Sequence, residues 1–289
     1  MKYLLGALLL TVVHLAAAAE PQVPVHGLWV WKSESVLDSP RGPEALRAFC
    51  LSAQISEVYL AVPKRTEAGE DAGYARLISI LHEAGMRVEA LISSVDGDEP
   101  GEPREQLLSR VRSALQFNRQ HPAQRFDGIH LDIEPQQRAE NKGPGNLNFL
   151  RGLIEAYRDV GALATPAGLT LNADVPMKLL KGDLEQRRAL LTAVPRLTLM
   201  LYELSSADDG TTAADKEQKL RDHATLLLRT AYQDVGDGAL AKMAIALRTP
   251  DYGPLLPRML GLLDEANRDN PHYLGWARHS YNDVLAAGP

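Results

Sequence analysis

Two rhythms of apolar residues alternate along the chain. Short runs with a period of two, or with none, read as strands at residues 27–32 (GLWVWK), 56–62 (SEVYLAV), 87–93 (RVEALIS) and 128–134 (GIHLDIE). Four more follow at 169–175 (LTLNADV), 197–203 (LTLMLYE), 242–247 (KMAIAL) and 273–277 (YLGWA). Between them, apolar residues recur at helical spacing over 73–84, stopped by Gly85, and over 105–120, where Leu107, Leu108, Val111 and Leu115 share a face. Residues 146–164, 213–232 and 255–267 read the same way, and a stunted last helix covers 282–286. Strict β/α alternation implies parallel strands joined by right-handed crossovers. Eight such units in about 250 residues predict an α/β chain closed into a single-domain (β/α)8 TIM barrel. The polar stretch 205–216, after the sixth strand, reads as a loop that borders a cleft.

The amino terminus falls outside that rhythm. Lys2, an apolar run from Tyr3 to Leu15 and small residues before Glu20 read as a secretory signal peptide over 1–19, leaving 20–289 as the barrel. The run is shorter than the roughly 20 residues of a membrane span, and no later stretch is long enough to be one. The expected product is a monomer exported to the periplasm or secreted, with no span after cleavage. A single cysteine, Cys50, forms no internal disulfide, and its apolar setting marks it as a buried hydrophobe. A chain of this length buries roughly three quarters of its unfolded surface, enough for a core without staples. The net charge of −6, and the lack of a basic cluster with interleaved aromatics, argue against nucleic acid as a partner.

The fourth strand carries the chemistry. In FDGIHLDIEP, residues 126–135, alternation places Ile129, Leu131 and Ile133 on the face shown to the helices. His130, Asp132 and Glu134 then point into the barrel, with Glu134 nearest the C-terminal mouth and His130 deepest. Buried carboxylates are costly unless partnered, and the C-terminal mouth is where barrel enzymes do their chemistry. A metal site fits poorly: His130 and Glu134 lie about 13 Å apart along a strand, and no H-x-H or HExxH pattern supports one. No metal or other cofactor is expected.

DGIHLDIE, residues 127–134, resembles the fourth-strand signature of family 18 glycoside hydrolases, chitinases and endo-N-acetylglucosaminidases, whose pattern is D-G-x-D-x-D-x-E. Asp127, Gly128, Asp132 and Glu134 match it, and His130 stands where the family has its middle aspartate. MLYE, ending at Tyr202 and Glu203, is similar to the family's M-x-Y-D, and Trp276 in LGWA resembles the tryptophan ending its eighth strand. The resemblance implies hydrolysis of an oligosaccharide or polysaccharide containing N-acetylhexosamine. Glu134 would be the general acid and Asp132 would orient a substrate acetamide that acts as nucleophile, with Asp127 carried over beside them. It implies that Tyr202 donates to the acetamido oxygen and that Trp276 forms the floor under the sugar. His130 departs from the pattern, and the expectation is that it shares a proton with Asp132 and lowers the pKa of Asp132, and with it the elevation of Glu134.

Three alternatives stay open. Trp31 stacks on a sugar if the odd-numbered face of the first strand points inward. Glu203 or Asp174 could face Glu134 across the mouth and give an ordinary two-carboxylate glycosidase acting on non-acetylated sugars. A sugar-binding lectin on a hydrolase scaffold is the non-catalytic reading.

Overall fold

The structure is a computed structural model, and it describes residues 23–62, 72–143, 145–202, 212–236, 238 and 240–287. The leader at 1–19 and Glu203 lie outside the described residues. The eight strands are β1 Val25–Val30, β2 Glu57–Ala61, β3 Arg87–Ser94, β4 Gly128–Ile133, β5 Thr170–Pro176, β6 Arg196–Met200, β7 Lys242–Arg248 and β8 Tyr273–His279. Each pairs in parallel with its sequence neighbour, and β8 returns to β1, so the sheet closes in the order expected. Helices Ala72–Glu83, Glu102–Gln120, Leu150–Ala164, Ala213–Tyr232, Leu256–Asn267 and Tyr281–Ala287 lie within a few residues of the sequence reading. Gly85, at φ +80°, ends the first of these in the left-handed conformation that glycine adopts without steric cost. The polar stretch after β6 is helical from Ala213, where Thr212 caps the helix by accepting from the Asp215 N–H. Residues 205–211 of that stretch lie outside the described residues.

Alternation along the strands separates two interiors. Leu28, Val30, Val58, Leu60, Val88, Ile92, Ile129, Leu131 and Ile133 face outward into one continuous apolar layer beneath the helices. The inside of the barrel has a small apolar cluster, Trp29, Tyr59, Leu91, Ala246 and Ala277, with Trp31, Ala61 and Tyr202 packed against it. Trp29 of β1 and Trp31 just past its end therefore both point inward, the arrangement that places Trp31 at the mouth.

The remaining interior is charged. Glu57, Glu89 and His130 are completely buried, and Asp174 is 1% exposed. Arg196 at the start of β6 binds both oxygens of Glu57, one at 2.8 Å, and reaches Glu89 Oε1 at 3.0 Å. Gly128 of the acidic motif makes this possible, because a side chain there would collide with Thr170 and stand 2.8 Å from Glu89 Oε1. A buried pair survives only if its remaining lone pairs are also met. Glu89 accordingly accepts from the Thr170 hydroxyl at 3.2 Å and the Asn172 amide at 3.4 Å, and pairs with His130 Nδ1 at 3.2 Å.

Candidate active site

Asp132 and Glu134 stand at the C-terminal end of β4, as the alternation requires. The Glu134 N–H donates to the Ser94 carbonyl at 2.8 Å, extending the β3–β4 ladder by one bond and fixing where its side chain leaves the barrel. Its carboxyl group is half-buried and accepts from the side-chain amides of Gln136, at 3.1 Å, and Gln137, both in the turn Pro135–Gln137 that follows. Asp132 is 7% exposed, and its Oδ1 is buried without a hydrogen-bond partner. Such an oxygen forfeits its hydration unless a donor arrives. Burial, followed by repulsion from Asp174 and Glu134, pushes the Asp132 carboxyl well above the usual range. Burial and Asp174 raise Glu134 as well, which favours a protonated acid at the mouth.

Asp174 on β5 completes a triangle of carboxyl groups, but its two oxygens are already engaged. Oδ1 lies 2.8 Å from His130 Nε2, and Oδ2 accepts from the Trp29 indole at 3.1 Å. Tyr202 follows β6 and packs against the inner cluster. Its ring lies 5.6 Å from that of His279, and the Arg248 guanidinium sits 5.2 Å from its centroid. Burial, with Asp174, Asp132 and Glu134 nearby, raises the Tyr202 pKa well above the ordinary value, so the phenol keeps its proton and remains a donor. Trp31 is half-buried at the end of β1, and its indole donates to His279 Nε2 at 2.9 Å.

Three expectations require correction. Trp276 is no sugar floor: it faces outward, stacks on His26 at 4.0 Å and donates to Asp264 of helix Leu256–Asn267. The strand runs on to His279, and alternation puts Gly275, Ala277 and His279 inside. His130 is wholly buried beneath the mouth, out of reach of a substrate, and its ring nitrogens bond Glu89 and Asp174 and not Asp132. It is the weakest influence on Asp132, whose pKa rises where a fall was expected. Asp127 lies at the opposite end of β4, roughly 16 Å of strand from Asp132. There it accepts from the Val88 N–H at 2.8 Å and pairs with His82 at 2.9 Å, which ties helix Ala72–Glu83 to β3 and β4. Burial opposes its ionisation, but these two contacts prevail and hold its pKa low.

Glu57, Glu89, Arg196 and His279 are the residues that sequence reasoning missed. The first three were open to the same alternation argument as β4, since each is a charged residue on the inward parity of an otherwise apolar strand. Among the described residues, no group of three or more His, Cys, Asp or Glu side chains is arranged to hold a metal ion.

No family model matches the chain. No curated protein matches it either. Solved structures do. The glycoside hydrolase domain of PgaB (BpsB) from Bordetella bronchiseptica is similar over 93% of this chain and 96% of its own, at 13% identity and a TM-score of 0.55. A class V chitinase from Pseudomonas fluorescens Pf-5 is similar over 78% of this chain and 69% of its own, at 15% identity and a TM-score of 0.50. A D-psicose 3-epimerase covers 88% and 83%, at 13% identity and a TM-score of 0.51. At these identities the likeness establishes the barrel, which hosts hydrolases and an isomerase alike.

Proposed function

We propose that the protein is an exported glycoside hydrolase acting on glycans that contain N-acetylhexosamine. The observation that carries this reading is Asp132 Oδ1, buried and without a donor, between Asp174 and the half-buried Glu134 at the barrel mouth. An acetamide N–H is the complement of that oxygen. Held there, the acetamide places its own carbonyl oxygen toward the anomeric carbon, while Glu134 gives its proton to the departing glycosidic oxygen. The protonated Tyr202 hydroxyl is the donor suited to the acetamido oxygen, and Trp31 offers the aromatic face. Glu134 then takes a proton from the water that opens the cyclic intermediate, which returns the acid to its starting form. Two of the similar barrels are described as a chitinase and a glycoside hydrolase domain, which agrees with this chemistry.

The two-carboxylate route with Asp174 as nucleophile is disfavoured, because the lone pairs it needs accept from His130 and Trp29. Export rests on the leader-like residues 1–19. The test is incubation of the mature protein with a panel of N-acetylglucosamine oligomers and matched de-N-acetylated oligomers, with new reducing ends measured. Cleavage confined to acetylated chains supports the proposal. Binding without turnover selects the lectin, and cleavage of both chains at equal rates removes Asp132 from the reaction.

A further inference from the structure

His130 occupies the position where the resembled motif has a carboxylate, and the groups packed around it suit an imidazole. Glu89 of β3 lies 3.2 Å from Nδ1 and Asp174 of β5 lies 2.8 Å from Nε2, so both ring nitrogens face carboxylates. Both must be donors to satisfy them, and an imidazole has two donors only when it is a cation. The ring of Tyr59 of β2 lies tilted over the His130 ring, centroids 3.8 Å apart, and Trp29 of β1 meets it edge-on at 5.7 Å. The Tyr59 hydroxyl is kept neutral by burial, so it brings no charge to the ring. Asp132 is the next inward residue on the same strand, Arg196 of β6 balances Glu89 from below, and β7 and β8 contribute Ala246 and Ala277, followed on the same strands by Arg248 and the His279 ring, which lies 5.7 Å from Trp29.

We propose that His130 is a positioning residue that is held as an imidazolium and clamps Asp174 against Trp29, making Asp174 a fixed negative wall beside Asp132 and Glu134. The wall keeps the proton of the acid in place at the mouth without itself touching the glycan. Burial alone would lower the His130 pKa, but Asp174 and Glu89 outweigh it and raise it to about 9. The same Asp174 is the largest electrostatic contribution that raises Asp132 and Glu134. What the wall is for rests on the glycosidase reading, whereas its existence does not.

The test therefore begins without substrate. Ring nitrogen and carboxyl carbon resonances of the full-length mature protein are followed by NMR from pH 3 to 10. His130 should stay doubly protonated until about pH 9, and Asp132 and Glu134 should titrate above ordinary carboxyl groups. In Asp174→Asn both carboxyl titrations should fall by about one pH unit or more, the usual effect of one nearby charge, and in His130→Asn they should fall by less, because the released Asp174 leaves its place while the lost imidazolium no longer lowers Asp132. The double variant should fall no further than Asp174→Asn alone, because the two residues act through one charge. On a cleaved glycan, the alkaline limb of kcat/KM should move down by the same amount while the fold and its melting profile report the structural role separately. A His130 that loses its proton near pH 6.5 overturns the proposal, as do unshifted carboxyl titrations in either variant or additive shifts in the double. If His130→Asn does not fold, the wild-type titration and Asp174→Asn decide the matter. Absence of turnover on every glycan, with the titrations as expected, ends the proposed function and leaves the wall standing.

Discussion

The indole N–H of Trp31, one residue past β1, donates to Nε2 of His279 at the end of β8, across the seam where the barrel closes. Because Nε2 accepts, the imidazole is neutral with its proton on Nδ1. Its pKa is accordingly lowered, by burial first and by Arg248 in the same direction, against the opposing pull of Asp283 and Asp174. Trp31, His279 and Tyr202 form one wall of the mouth, while Trp276 lies outside the barrel beside His26, near the start of β1 and under helix Leu256–Asn267.

That division separates two tryptophan variants. Trp31→Ala should raise KM for oligosaccharides roughly tenfold to a hundredfold, the worth of about 1.5–3 kcal/mol of aromatic surface covered by a sugar. Trp276→Phe should leave KM unchanged and cost about 1 kcal/mol of stability through the lost bond to Asp264. Steady-state kinetics and urea denaturation on the two variants check both halves.

Glu134→Gln preserves size and hydrogen bonding but removes the transferable proton. The expected loss in kcat is about a hundredfold to ten thousandfold on a natural glycan, with substrate still bound. On an aryl glycoside with an acidic leaving group the loss should shrink, since little protonation is then needed. Full activity in this variant would place the acid elsewhere.

Removing the N-acetyl group from a cleaved substrate should slow hydrolysis by about a hundredfold or more, the scale of losing one positioned catalytic group. The comparison is made on oligomers of equal length before and after chemical deacetylation, and rates within a factor of two would remove the substrate-assisted route.

Stability should depend on pH through the buried charges. The His130 pKa is raised from 6.5 to about 9, so its contribution is complete below pH 6.5 and disappears as pH rises through 9. Glu89 works from the other side. Burial opposes its ionisation, yet Arg196 and His130 hold it at about 2, so its contribution is present above pH 4.5 and is lost as pH falls toward 2. Denaturation midpoints of the wild type and His130→Asn should differ most below pH 6.5 and converge above pH 9.

Arg196→Met removes the cation that the buried Glu57 and Glu89 share, leaving Glu57 with Arg87 and Glu89 with His130, and should cost about 3–5 kcal/mol. Arg87→Met, at a half-exposed partner of the same Glu57, should cost less than about 1 kcal/mol. Thermal melts of the two single variants give the comparison.

The barrel was legible because its signal is local: each strand announces itself by alternation within five to eight residues. Helices Ser33–Asp38, Gly42–Ser52 and Leu184–Ala193 escaped. The first is only six residues long. The other two carried readable starts, Pro43 in the first turn of one and the Asp183–Gln186 capping box of the other, that were not used. Asp132 and Glu134 were legible for the same local reason as their strand. What their neighbours do was not, because Arg196 meets Glu57 across 139 positions of sequence and only closure of the barrel joins them. The misplacement of Trp276 came from ending β8 at residue 277, two positions before the residue that reaches the mouth.

The inward residues of the barrel form a column in which sign reverses at each step, from Arg196 through Glu89 and His130 to Asp174. On the proposed reading, the reactivity of the rim is tuned from strands whose side chains lie beneath the cleft. Grafting the rim residues and their loops onto another eight-stranded barrel with an aliphatic interior would transfer the shape of the cleft and leave its acid untuned. A working transplant would have to carry the inward-facing positions of β3, β5 and β6 along with β4.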